Sequence, residues 1–236
     1  MRRHMFRWSP ARIIAGAFGS ISFIGSILLY LPWGHMPGQS ITYVDALYTA
    51  VSALCVTGLS IVDTAAVFNP FGQAILAVLI QVGGLGVSTM GAGVLLMLGR
   101  KVGIRQRNLI HDTMNLDSYS GVVRFLRTLF ATTVFIEIIG AFLGYFVFRR
   151  DYEMMESIGL SIFHSISSFN NAGLTILTKE RSMEMYAEDP FMLILTTALV
   201  FVGGLGFIVI RECWVNRFRW RKLSMHSRVS IFMAVF

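Results

Sequence analysis

Apolar residues in this chain gather into four long runs, 13–31, 71–98, 126–148 and 191–210, with polar stretches between them. Each run is about long enough, at 1.5 Å per residue, to cross a hydrocarbon core of roughly 30 Å as a helix. Between the first and second runs, and again between the third and fourth, lies a shorter stretch with helical character, 45–54 and 159–169. About ten residues reach only halfway across such a core, so these segments are expected to enter the membrane and return. The return leaves non-helical backbone at membrane depth, which is tolerated only where it is buried in protein or lines a water-filled path. The pattern predicts an all-α membrane protein built around two pore loops, at about 45–60 and 159–175.

The two halves are copies of one unit. The loop SALCVTGLS (52–60) matches SSFNNAGLT (167–175) when Gly58 is set on Gly173. Downstream, Val82-Gly83-Gly84-Leu85-Gly86 matches Val202-Gly203-Gly204-Leu205-Gly206, and the spacing differs by one five-residue insertion. Internal duplication of this kind identifies a repeat architecture. The expected organisation is a first membrane–pore–membrane repeat over 1–99, a cytoplasmic connector over 100–124 and a second repeat over 125–210. A basic cytoplasmic segment over 211–236 follows, ending in an apolar run, VSIFMAVF, that stops after eight positions, too short to span, and looks like a cut.

Composition agrees with a membrane protein: 55% of the 236 residues are hydrophobic, only 14% are charged, and mean hydropathy is positive. The net charge of +7 does not call for nucleic acid, because its division between the two sides of the membrane explains it. Residues 32–70 contain no Lys or Arg, whereas basic residues crowd 2–12, 100–127 and 211–228. Sixteen of the twenty fall on one side, which predicts a multi-pass protein of the plasma membrane with its N-terminus in the cytoplasm. The first run ends in Leu31-Pro32-Trp33 without a cleavage pattern and reads as a permanent span. Cys55 and Cys213 fall at opposite ends of a span and cannot pair.

The loops suit a dehydrated monovalent cation, which needs several oxygens at close range. Rings of backbone carbonyls supply them without adding full charge. Gly58 and Gly173 can turn a carbonyl at little steric cost, and each preceding half-helix ends at the loop with the partial negative charge of its C-terminus. The glycine strings, with Gly83, Gly84 and Gly86 in one half and Gly203, Gly204 and Gly206 in the other, are either a hinge or pore lining, or close helix packing in lipid. Glu137 is the one acidic residue inside a predicted span and is a candidate for sodium or proton coupling, with a structural contact as the alternative. His164 beside Ser165 invites a protease reading, but adjacent residues are not spaced to meet as a catalytic pair. Asp45 reads as the N-cap of the first half-helix, and with Asp63 as a lure for cations at the outer mouth.

At these residues the chain resembles the Trk/Ktr/HKT superfamily of cation transporters, and the resemblance runs through nearly all of it. VTGLS (Val56, Thr57, Gly58, Leu59, Ser60) and NAGLT (Asn171, Ala172, Gly173, Leu174, Thr175) look like the first two of that family's four selectivity filters. The resemblance implies a potassium-channel-like arrangement of repeats, with Val56, Thr57, Gly58 and Leu59 and with Asn171, Ala172, Gly173 and Leu174 holding K+. A glycine rather than a serine in the first loop implies K+ over Na+, with sodium coupling open. With no helices ahead of the first repeat, the chain is more similar to the Ktr membrane subunit than to Trk. It implies potassium uptake without covalent chemistry, no organic cofactor, and a cytosolic nucleotide-binding regulatory ring as partner beside membrane lipid. Two of four repeats are present, so the chain is expected to be a piece of a longer protein or a half-size subunit that pairs with itself as a homodimer. The rival expectation is a non-conducting scaffold or regulatory fragment.

Overall fold

A computed structural model of the chain describes residues 10–86, 89–90, 122–177, 183–215, 219–220 and 223–235. Nine α-helices lie within them: α1 (Pro10–Tyr30), α2 (Tyr43–Cys55), α3 (Thr64–Val67), α4 (Pro70–Leu85), α5 (Val122–Phe148), α6 (Met154–Phe169), α7 (Pro190–Gly204), α8 (Phe207–Val215) and α9 (Met225–Val235). Among the described residues there is no strand, only an isolated bridge between His35 and Phe68. Most of the expected connector, 100–121, lies outside the described residues, as do 91–98 at the end of the second apolar run.

Local chemistry sets where the helices begin. At α2, Thr42 and Asp45 form a reciprocal capping box: the Asp45 N–H donates to Thr42 Oγ1 at 3.2 Å and the Thr42 N–H to Asp45 Oδ2 at 3.0 Å. Asp45 therefore sits inside the first turn and Thr42 is the cap, because the helix starts two residues earlier than the apolar pattern indicates. α4 and α7 open alike, with Asn69-Pro70-Phe71 and Asp189-Pro190-Phe191. Each cap side chain accepts from two backbone N–H groups, and proline occupies the first helical position, where no N–H is needed. The N–H of Met192 above all, then that of Phe191 and the Arg150 guanidinium at 2.6 Å, hold the Asp189 carboxyl below its ordinary range. The extra five residues of the second half lie between its glycine loop and this cap.

α1 and α5 are long and apolar enough to cross a membrane, and α7 with α8 make a third crossing if the bent pair counts as one span. That pair is bent by 100°. The run 191–210 is thus two helices, broken where Gly206 takes φ +81°. α4 ends in the matching place, at Gly86 with φ +83°. The outward faces are apolar: Val78, Ile138, Phe142 and Ile194 are each 60% or more exposed, as lipid-facing side chains would be.

Inside, small residues let the half-helices sit close to the spans. Ala46, Ala50 and Ala53 of α2 are fully buried in one core with Leu29, Leu76 and Ile80, and the core continues through Leu160, Phe163, Leu195 and Leu199. The closest approach occurs twice. A Cβ on Gly83 would overlap the Leu54 carbonyl oxygen, and a Cβ on Gly203 would overlap that of Phe169. Each half-helix end rests on the first glycine of its own GGLG string.

Gly83→Ala and Gly203→Ala are therefore expected to destabilise the protein by about 3 kcal/mol or to prevent folding, since backbone has to move. Gly159→Ala, where a Cβ meets nothing within 4 Å, should be neutral or slightly stabilising. Thermal unfolding in detergent reads the difference, and equal behaviour of the three variants would contradict this packing.

Candidate functional site: the paired glycine loops

α2 and α6 end in the same turn. After α2, the Val56 N–H donates to the Ala53 carbonyl at 3.3 Å and the Thr57 N–H to that of Ser52 at 3.1 Å. After α6, Asn171 donates to Ser168 at 3.1 Å and Ala172 to Ser167 at 2.8 Å. This pair of bonds is the Schellman motif, and it requires a left-handed residue just past the helix. Val56 and Asn171 supply it, each with φ 57°. Asparagine tolerates that conformation. A β-branched valine does not, so Val56 stores backbone strain in the first loop.

Gly58 and Gly173 follow two residues later, at φ +72° and +68°. The loops are then closed from below by a matched side chain: Ser52 Oγ donates to the Leu59 carbonyl at 2.5 Å, and Ser167 Oγ to the Leu174 carbonyl at 2.6 Å. What remains is a row of free acceptors. Among the described residues, the carbonyls of Val56, Thr57 and Gly58, and of Asn171, Ala172 and Gly173, accept no hydrogen bond. Thr57, Asn171 and Gly173 are exposed, Val56 and Gly58 half-buried and Ala172 buried, so these acceptors stand open beside the paired loops.

The loops also meet each other. A Cβ on Gly58 would lie 2.7 Å from the Ala172 carbonyl oxygen and 3.5 Å from the Gly173 Cα, so a side chain at Gly58 would press on the second loop. Thr64 Oγ1 donates to the Thr175 carbonyl and ties the far ends together. Both half-helix C-termini point their partial negative charge into this region.

Of the sequence candidates, the eight loop residues from Val56 to Leu59 and from Asn171 to Leu174 are thus gathered in one place. In the glycine strings, Gly83 and Gly203 lie under the half-helix ends, Gly84 lies against Asn170, and Gly86 and Gly206 stand where helices end. Gly204 is open, with the Asn171 amide 3.8 Å from where a Cβ would sit. Glu137 is behind the second loop, where its Oε1 accepts from Asn170 Nδ2 at 3.3 Å and its backbone carbonyl from Ser165 Oγ at 2.8 Å. Ser165 is committed to that carbonyl, while His164 Nε2 lies 3.1 Å from Thr196 Oγ1, so they form no catalytic pair. Asp63 caps α3, accepting from Ala65 and Ala66. Ser52, Ser167 and Gln81 have roles that sequence reasoning missed. The matched serines were visible, but nothing in their identity says that they would hold the carbonyls of Leu59 and Leu174.

An all-helical arrangement with helices long and apolar enough to cross a membrane defines the class as a helical membrane protein. The comparison with known proteins makes this specific: the chain belongs to the TrkH family of cation transport proteins, whose model matches residues 10–229. It is 34% identical over 225 residues to the Ktr system potassium uptake protein B of Bacillus subtilis, a match covering 95% of this chain and 49% of that protein. The potassium/sodium uptake protein NtpJ of Enterococcus hirae is 35% identical over 225 residues, covering 95% and 49%. The Ktr protein B of Vibrio alginolyticus is 35% identical over 237 residues, covering 98% and 50%. The chain is a Trk/Ktr-type membrane subunit and not an enzyme. It spans about half the length of the curated relatives it matches.

If the left-handed turn selects its residue, Asn171→Val should cost about 1 kcal/mol and Asn171→Gly much less. Thermal unfolding in detergent measures both, and equal costs would show that backbone conformation is not the constraint.

Proposed function

We propose that this chain supplies two of the filter loops through which potassium is taken up across the cell membrane. The observation that carries the reading is the set of six carbonyls, free of hydrogen bonds, at the ends of two half-helices and on two loops in contact. In this reading K+ sheds its water onto the carbonyls of Val56, Thr57 and Gly58 and of Asn171, Ala172 and Gly173. Leu59 and Leu174 complete each filter segment with carbonyls steadied by Ser52 and Ser167. The helix C-termini lower the energy of a cation there without a fixed charge to trap it. No bond is made or broken.

Relatives named for potassium, or for potassium and sodium, support the choice of ion. Sodium is the candidate coupling ion and Glu137 the candidate coupling residue. Two loops do not close a ring, so the path is completed either by further repeats of a longer chain or by a second copy of this one. The basic segments would face the cytoplasm, where anionic lipid and a nucleotide-binding regulatory ring are the proposed partners. The glycine breaks at Gly86 and Gly206 are placed to let the inner helix ends swing beside the path.

The test is Gly58→Asp in the full assembly that contains this chain. The new side chain would press on the Ala172 carbonyl and put a fixed charge in the path, so selective rubidium uptake should fall at least tenfold. Unchanged selectivity would sink the assignment and favour a non-conducting scaffold.

A further inference from the structure

The two loops are braced differently, and the difference centres on Asn170. In the first loop, Ser52 Oγ lies 2.9 Å from Thr57 Oγ1, so one hydroxyl pair stiffens the turn from within. The second loop has Ala172 at the matching position and no hydroxyl to offer. Instead Asn170, directly before the filter residues, reaches backward. Its Nδ2 lies 2.9 Å from the Ile166 carbonyl, 3.0 Å from Gln81 Oε1 and 3.3 Å from Glu137 Oε1.

These partners belong to three helices. Ile166 is on α6 itself, Glu137 on α5 of the same repeat, and Gln81 on α4 of the other repeat. An amide nitrogen has two hydrogens, so three acceptors around it hold the side chain from several sides. The amide oxygen is buried without a hydrogen-bond partner and packs on Gly84, where any side chain would overlap it. The first loop has Cys55 at the matching position, exposed and free. The brace is therefore a device of the second loop alone.

We infer that Asn170 is a positioning residue: through Gln81 and Glu137 it fixes the direction of the Asn171–Gly173 carbonyls, and so sets how well the second loop tells K+ from Na+. The inference rests on the filter reading above. Asn170 itself does not touch the ion. It acts through a turn one residue away, whose left-handed backbone leaves little room to rotate unless the side chain behind it lets go.

The experiment compares potassium with sodium uptake, per folded molecule, in proteoliposomes holding the full assembly. Asn170→Leu keeps the volume and removes all three contacts, while Gln81→Met removes one from the other repeat. The expected result is a potassium-to-sodium ratio lowered about tenfold or more by Asn170→Leu and less by Gln81→Met. The double variant should be no worse than Asn170→Leu alone, because the second change removes nothing further. A residue that merely helps folding would lower the amount of protein and leave the ratio per molecule unchanged, and that result overturns the inference. Should Asn170→Leu fail to fold, full selectivity in Gln81→Met overturns it equally. Gly58→Ala and Gly173→Ala separate the two layers of argument. If they change the ratio and the brace variants do not, only the positioning role falls; if they leave it unchanged, the filter reading falls first.

Discussion

Much of this structure depends on how α2 and α6 end, each in a loop that meets the other. Each of these helix ends leaves its last carbonyls, and those of the loop that follows, to find partners. The turns after α2 and α6 dispose of some through two backbone bonds each, and Ser52 and Ser167 take one more. The Leu54 and Phe169 carbonyls fit the space that Gly83 and Gly203 leave open. Among the described residues, the carbonyls of Val56, Thr57 and Gly58 and of Asn171, Ala172 and Gly173 remain without a hydrogen bond, and a cation is the partner proposed for them. Under the proposed filter reading, folding and ion binding are one problem.

The same constraint explains the glycine strings. Their first glycine admits a backbone, the second in the first repeat admits the Asn170 amide, and the last turns the chain at positive φ so that the inner helix ends or bends. One short motif thus does packing at its start and breakage at its end. Of the readings offered by sequence, close packing describes Gly83 and Gly203, while a hinge at Gly86 and Gly206 remains a proposal.

The pattern of apolar runs gave the helices, and matching Gly58 to Gly173 located both loops, because duplication leaves the same letters at the positions under the tightest constraint. Element ends were less legible. α2 begins at Tyr43 because of a reciprocal cap that reads in sequence only as Thr and Asp three apart, and the 191–210 run hides a bend that a single glycine produces. The Gln81–Asn170–Glu137 contact was the least visible of all. Gln81 is an amide in an apolar run, but its partners lie 56 and 89 positions away and come from the other repeat, so only the packed fold brings them together. Val56 in a left-handed turn is likewise invisible from its identity, since valine argues against that conformation.

The most direct test is to locate the ion. Crystals of the full assembly soaked in rubidium would show by anomalous scattering where a potassium substitute rests. The account predicts a peak bounded by the carbonyls of Val56, Thr57 and Gly58 on one side and of Asn171, Ala172 and Gly173 on the adjacent side. A transporter that takes up rubidium yet holds its ion elsewhere, with these carbonyls uncoordinated, would contradict it.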